Sequence, residues 1–352
     1  MKERQKNRSQ PSRALRVVAV GGGTGLSVVL RGLKQHIAYS PKEASRDRAA
    51  PGRAPFPISD LTAVVAVSDD GGSSGRLRRE YRVLPPGDIR NCMVALSMDE
   101  PLLANLFQYR FPLGRGLAGH SFGNLFLTAL TNVTGDFVRA VEVSSQVLAI
   151  RGRIFPSTEE NVTLEAELED GTVVKGETKI SKSRKRIARI RLSPRRVRPS
   201  PYTLEALRRA DLILVGPGSL YTSIIPNLLV QGVVETIAHS RATRVYIANL
   251  MTQPGETSHY SVADHIRAIY EHAGRPIFDY AIVNRARISP RLLRRYKAEG
   301  AEPVEPSLEE LAGMGLKCIE ANVLQQDRVV RHDQSALADL LLNRFVHSSG
   351  RN

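Results

Sequence analysis

Five short runs of β-branched and aliphatic residues, each closed by Gly, Asp or Asn, constrain this chain more than any other feature. They fall at 16–20, 61–67, 212–215, 244–248 and 280–283, with 316–319 as a weaker sixth. Strands covered on both faces lose polar alternation and read as continuous apolar runs, which is the habit of parallel sheets. Helical periodicity at 26–35, 225–239 and 261–272 separates most of these runs. Strand and helix in alternation predict an α/β fold with a doubly wound, mostly parallel Rossmann-like sheet. Within 88–147, the apolar-periodic stretches 101–109 and 124–131 predict a helical layer packed over it.

Two stretches break the rhythm. Residues 36–59 are rich in Pro, Ala and Arg without an apolar period, which predicts a flexible insertion. In 151–198, residues 162–168, 173–180 and 187–192 alternate apolar and polar, and Asp170-Gly171 is a hairpin turn signal. This block predicts a small antiparallel β excursion.

Charge and cysteine usage narrow the function classes. The net charge of +15 is concentrated in two places: residues 1–16 hold six Lys/Arg and one Glu, and residues 179–198 hold ten Lys/Arg and no acid. The rest of the chain is neutral overall. Neither segment interleaves aromatic residues as a base-stacking surface does, so the pattern argues against nucleic acid as partner and for a solvated edge or a patch for anionic partners. No run approaches the roughly 18 apolar residues of a membrane span. The basic start has no apolar stretch behind it, and Cys92 and Cys318 lie far apart. These features predict a cytoplasmic protein without a disulfide framework or a thiolate zinc site.

The strand ends carry the chemistry. Gly21-Gly22-Gly23-Thr24-Gly25 joins a strand to a helix, where glycines admit close approach of a phosphate to free N–H groups. The dinucleotide fingerprint fails at Leu26, and no Gly-Lys-Ser/Thr follows. The second strand runs into Ser68-Asp69-Asp70-Gly71-Gly72-Ser73-Ser74-Gly75-Arg76. An acid there suits a ribose hydroxyl pair, and the two adjacent acids are candidates for Mg²⁺ beside phosphates or for caps of the next helix. Pro86-Gly87-Asp88-Ile89-Arg90-Asn91 follows, then His120-Ser121-Phe122-Gly123-Asn124-Leu125, with Ser121 as helix cap and His120 as phosphate ligand, acid or base, or structural histidine. Gly216-Pro217-Gly218-Ser219-Leu220-Tyr221-Thr222-Ser223 and Asn249-Leu250-Met251-Thr252-Gln253-Pro254-Gly255-Glu256-Thr257 close two further strands, and another ends at Asn284. Loops at the carboxyl ends of parallel strands share one side of the sheet, so these predict a single pocket for a phosphorylated, nucleotide-type ligand. Asp69, Asp70 and His120 are the candidates for any reaction; no nucleophile stands beside an evident base. The chain thus reads as a disordered tail over 1–15, one nucleotide-binding domain over 16–345 and a short tail over 346–352.

Gly22-Gly23-Thr24-Gly25, the strings 68–76, 86–91, 120–125 and 216–223, and Met251-Thr252-Gln253-Pro254-Gly255-Glu256-Thr257 together resemble the bacterial gluconeogenesis factor family, relatives of 2-phospho-L-lactate transferase. The resemblance implies a cytoplasmic regulatory factor for cell shape and wall growth on gluconeogenic carbon. It implies binding of a UDP-sugar, UDP-glucose or UDP-N-acetylglucosamine, and contact with cell-wall synthesis proteins. On that reading Gly21–Gly25 and Gly216–Ser223 hold the diphosphate, Asp69 with Asn249 contacts hydroxyls, and a homodimer stays open. The transferase relatives imply the alternative, a Mg²⁺-dependent transfer from a nucleotide diphosphate conjugate, with Asp69 and Asp70 at the position of the metal carboxylates. The serine-rich loop 73–76, the loop 216–223 and the excursion follow the gluconeogenesis-factor pattern instead.

Overall fold

The computed structural model describes residues 14–37, 57–98, 101–183 and 185–345. The predicted tails and most of the predicted insertion at 36–59 lie outside them. Seven strands form one sheet in the order β10-β9-β8-β7-β1-β2-β3, and every neighbouring pair is parallel. The strands are β1 (Leu15–Gly21), β2 (Ile58–Val65), β3 (Arg153–Pro156), β7 (Leu212–Val215), β8 (Thr243–Ile247), β9 (Tyr280–Asn284) and β10 (Lys317–Ala321). The central ones are short apolar runs with both faces covered. Leu-Ile-Leu-Val of β7 is buried throughout, as are Val17 to Val20 except for minor exposure.

Helices cover the sheet for the reason their spacing gives. Helix α1 (Gly23–Leu33) buries Leu26, Val29, Leu30 and Leu33, an i, i+3, i+4, i+7 stripe. A helix α2 (Gly72–Tyr81) follows β2, and the helical layer predicted within 88–147 is present as α3 (Gly87–Leu96), α4 (Pro101–Gln108), α5 (Phe122–Thr134) and α6 (Phe137–Val147). The helix Val262–Ala273 begins with a capping box between Ser261 and Asp264. The helix expected over 225–239 is broken. A π-helical turn Leu220–Ile224 runs into Ile225–Leu228, and a separate helix Val233–His239 follows Gly232, whose φ of 76° lies in the left-handed region. No described helix is long and apolar enough to cross a membrane.

The excursion differs from its expected form in two respects. Its first residues, Arg153–Pro156, join the main sheet as edge strand β3 beside β2. The antiparallel part is a three-stranded sheet, β5-β4-β6, made of β4 (Thr163–Leu168), β5 (Val173–Lys175) and β6 (Ile187–Ser193). The alternation seen over 173–180 ends at Lys175, and Glu177–Lys182 turns into the short helix α7 after Gly176, at φ 94°. The basic run is laid against acids. Arg191 pairs with Glu167 at 2.9 Å, Arg186 with Glu169 at 3.3 Å, Arg198 with Glu160 at 2.7 Å, and Lys185 with Asp170. Each exposed pair is worth about 0–1 kcal/mol, so their effect is to offset charge more than to hold the sheet. The core side of β4, Leu164, Ala166 and Leu168, meets Ile187, Ile190 and Leu192 of β6 in the burial that fixes register.

Helix α1 also packs closely on the C-terminal helix Gln334–Phe345. A Cβ on Gly32 would lie 2.1 Å from the Gln334 carbonyl oxygen and 3.1 Å from the Ala338 Cβ. Gly32→Ala is therefore expected to cost roughly 1–3 kcal/mol by overpacking. Urea denaturation checks this, and an unchanged midpoint would mean that the two helices separate freely.

Candidate functional site

The order of strands reverses between β1 and β7. From β1 the chain builds outward to β2 and β3, and from β7 outward to β8, β9 and β10. The loops that leave these two strands diverge to opposite faces, and the crevice they leave is where open α/β sheets bind ligands. Here the two loops touch. A Cβ on Gly25 would stand 2.4 Å from the Pro217 carbonyl oxygen, so no larger residue fits without moving backbone. Asn249, just beyond β8, fixes the second loop: its Oδ1 accepts the Gly218 N–H at 3.0 Å and its Nδ2 donates to the Gly218 oxygen at 2.8 Å. Gln253 Nε2 donates to Ser219 Oγ at 2.8 Å. Above these loops opens a cleft of about 870 Å³, within the range of small-molecule and cofactor sites.

One end of the cleft is acidic. The Asp88 carboxylate, at the start of α3, accepts the Gly23 N–H at the beginning of α1 and a hydrogen bond from Asn91. Burial, followed by the nearby Asp69 charge, nevertheless raises its pKa to about 6. Glu177 reaches the same wall from α7 of the excursion. Burial and the charges of Asp69, Asp88, Glu256 and Asp70 raise its pKa to about 9, so at neutral pH it is held as the acid. Cations line the cleft from other segments. Arg31 of α1, Arg90 of α3 and Arg110 line the cleft, as does Arg331 of β12 (Val330–His332), which pairs with β11 (Leu324–Gln326). Arg90 is buried, donating to Ser121 Oγ at 2.6 Å and to Asn91 Oδ1 at 2.7 Å, while its Nε has no partner. Leu250, Met251, Tyr296, Val329 and Val330 add a less polar part of the lining, and the Tyr296 hydroxyl accepts the Val330 N–H at 3.0 Å.

The cleft brings together Gly22, Gly23, Thr24, Gly25, Asn91, Pro217, Gly218, Ser219, Ser223, Asn249, Thr252 and Gln253 of the residues named from sequence. The others do not line it. Gly21 is the last residue of β1, and its oxygen accepts from Asn227 Nδ2 at 3.0 Å. Ser68 is buried without a partner for its hydroxyl. Ser121 caps α5, Asn124 donates to Ser74 Oγ at 3.4 Å, and His120 bonds Ser73 Oγ at 2.9 Å, with burial lowering its pKa. His120 thus joins the first turns of α2 and α5. Tyr221 bonds the Tyr260 hydroxyl at 2.8 Å and Thr222 bonds Glu256 at 3.4 Å. Thr257 accepts the Gln253 N–H at 2.9 Å, and Asn284 closes a turn onto Ala286.

The adjacent acids have separate employments. Asp69 Oδ1 accepts the Gly71 N–H at 2.8 Å. Asp70 Oδ1 accepts both the N–H and the hydroxyl of Thr178, at 2.9 and 2.8 Å, tying the excursion to the end of β2. Among the described residues, no group of three His, Cys, Asp or Glu is arranged to hold a metal ion. The residues as placed do not fit Mg²⁺ on an Asp69–Asp70 pair. Arg31, Glu177, Tyr296 and Arg331 escaped the sequence reading. None belongs to a glycine-rich string: Arg31 lies two turns along the helix that one of them opens, and the fold brings the other three to the cleft.

A parallel, doubly wound sheet whose polar cleft opens at the crossover defines a Rossmann-like α/β protein. The chain belongs to the family of the 2-phospho-L-lactate transferase CofD, whose model matches residues 17–324. It is 47% identical over 329 residues to the gluconeogenesis factor of Bacillus subtilis, covering 93% of this chain and 97% of that one. It is 44% identical to the putative gluconeogenesis factor of Thermotoga maritima, covering 93% and 98%. A crystal structure of a UPF0052 family member from Bacillus halodurans superposes with a TM-score of 0.85 at 45% identity, covering 94% of this chain and 99% of the other.

The acid form of Glu177 links stability to pH. A carboxyl raised from 4.5 to about 9 contributes stability that is complete below pH 4.5 and is lost as pH rises towards 9, because the unfolded chain releases the proton first. Glu177→Gln removes this dependence. Its melting temperature is expected to match the parent near pH 4 and to exceed it at pH 8 by several degrees; parallel profiles would contradict the assignment.

Proposed function

We propose that this protein is a cytoplasmic UDP-sugar-binding regulatory protein that couples sugar-nucleotide supply to cell-wall growth and cell shape. The observation that carries the ligand is the mixed lining of the one cleft. Two glycine loops meet there and offer backbone groups where a diphosphate needs close approach. Arginines of the lining provide charge-assisted donors. The apolar contribution of Tyr296 and Met251 suits a flat base, and Asp88, Asn91 and Glu177 suit the hydroxyls of a sugar. The regulatory part of the reading, including contacts with cell-wall synthesis proteins, draws on the motif resemblance and on relatives that carry the name gluconeogenesis factor.

The match to the CofD model favours a second reading, transfer from a nucleotide diphosphate conjugate with Mg²⁺. It requires Asp70 to leave Thr178, or another carboxylate to take its place.

Calorimetric titration with UDP-N-acetylglucosamine, UDP-glucose, UDP and GDP, each with and without Mg²⁺, separates the two. The sensor reading expects the UDP-sugars to bind best, without Mg²⁺ and without turnover. GDP preferred and gated by Mg²⁺ would favour the transferase, and a folded protein that binds no UDP-sugar at millimolar concentration would overturn the first reading. Arg31 makes no hydrogen bond or ion pair with another described residue although it lines the cleft. Arg31→Ala is expected to weaken UDP-sugar binding roughly tenfold, the loss of one charge-assisted contact, with the melting temperature unchanged.

A further inference from the structure

Among the described residues of the excursion, Glu177 alone lines the cleft. The charges that act on it most are those of acids: Asp69, Asp88, Glu256 and Asp70, in falling order of influence. Each of those has hydrogen-bond donors of its own. Asp69 has Gly71, Asp88 has Gly23 and Asn91, Asp70 has Thr178, and Glu256 has Ser181 and Thr222. The Glu177 carboxyl has no hydrogen bond or ion pair with any described residue. The carboxyl is half-buried and lines the cleft, so its hydrogen-bonding capacity is open to whatever enters there. The cleft is the open side.

Its placement is not loose. Asp70 takes both donors of Thr178, the next residue, and a Cβ on Gly176, the residue before, would stand 2.1 Å from Asp70 Oδ2. Only a glycine, at φ 94°, lets α7 begin this close to the end of β2. The residues on either side of Glu177 are thus fixed to Asp70.

We propose that Glu177 is a specificity-determining residue that binds a hydroxyl of the sugar beyond the diphosphate, and that the Asp70–Thr178 contact positions it. This rests on the UDP-sugar reading of the same cleft. An un-ionised carboxyl both donates and accepts, which matches a hydroxyl. The surrounding acids disfavour a phosphate there. The held proton lets Glu177 serve as donor where a carboxylate could only accept, and Gln keeps both capacities while Ala keeps neither.

The test is calorimetric titration of the full chain and of Glu177→Ala, Glu177→Gln and Thr178→Val with UDP-N-acetylglucosamine and with UDP, plus a titration with Mg²⁺ alone. Glu177→Ala is expected to weaken the UDP-sugar about tenfold and UDP by less than about twofold, with Glu177→Gln restoring the UDP-sugar to within about threefold of the parent. Thr178→Val, which removes one of the two bonds to Asp70, is expected to shift the same discrimination in the same direction by a smaller factor. Equal losses for both ligands, or none, would overturn the inference while leaving the UDP-sugar reading in place. Mg²⁺ binding lost in Glu177→Ala would also overturn it, by making Glu177 a cation ligand. A parent protein that binds neither nucleotide would remove the reading and the inference together.

Discussion

The contact of Gly25 with the Pro217–Gly218 backbone is the constraint on which the rest of the cleft depends. Parallel strands β1 and β7 lie side by side, about 4.8 Å apart as sheet hydrogen bonding requires, and their following loops leave in opposite directions. A Cβ at position 25 would stand 2.4 Å from the Pro217 oxygen, well inside van der Waals contact distance. Asn249 then pins Gly218 by both its backbone groups, so the second loop has a fixed height against the first. The result is a floor made of main chain, with side chains restricted to its rim. Such a floor can meet a phosphate group at a distance that side chains would deny.

Around that floor the fold assembles charge of both signs from segments distant in sequence. The acids cluster at the end of β2, where Asp88 occupies the start of α1 and Glu177 arrives from the excursion. Burying several carboxyls together is unfavourable, and the protein relieves it by donors at Asp69, Asp70 and Asp88 and by a retained proton at Glu177. The helix start that sequence assigns to a phosphate is thus already shared with a carboxylate. On the proposed reading, an anionic ligand would meet the cleft through the neighbouring backbone and the arginines rather than through the dipole of α1 alone.

The sheet was legible because its strands are buried on both faces, which leaves uninterrupted apolar runs. Strand β3 was not, since four edge residues that include Arg153 and Pro156 carry no such run. Ile225–Leu228 and Val233–His239 read as one helix because periodicity passes through Gly232 unchanged, while the left-handed turn there does not register in a hydrophobic pattern. The glycine loops of the cleft could be named from their strings. His120 could not be assigned, because a histidine before a turn looks the same whether it meets a ligand or, as here, Ser73. Asp69 and Asp70 are neighbours in the loop after β2, but Asp69 accepts from Gly71 while Asp70 accepts from Thr178 of the excursion; adjacency in sequence therefore suggested a shared metal that their hydrogen bonds do not support. Arg31, Glu177 and Arg331 sit outside any motif and become visible only through tertiary structure.

A crystal structure with UDP-N-acetylglucosamine bound tests the central claim most directly. The account predicts the diphosphate against Gly25 and Gly218 at the β1–β7 crossover, the uracil towards Tyr296 and Met251, and the sugar beside Asp88 and Glu177. Ligand density away from the crossover, or a reversed ligand with its base among the carboxyls, would contradict it.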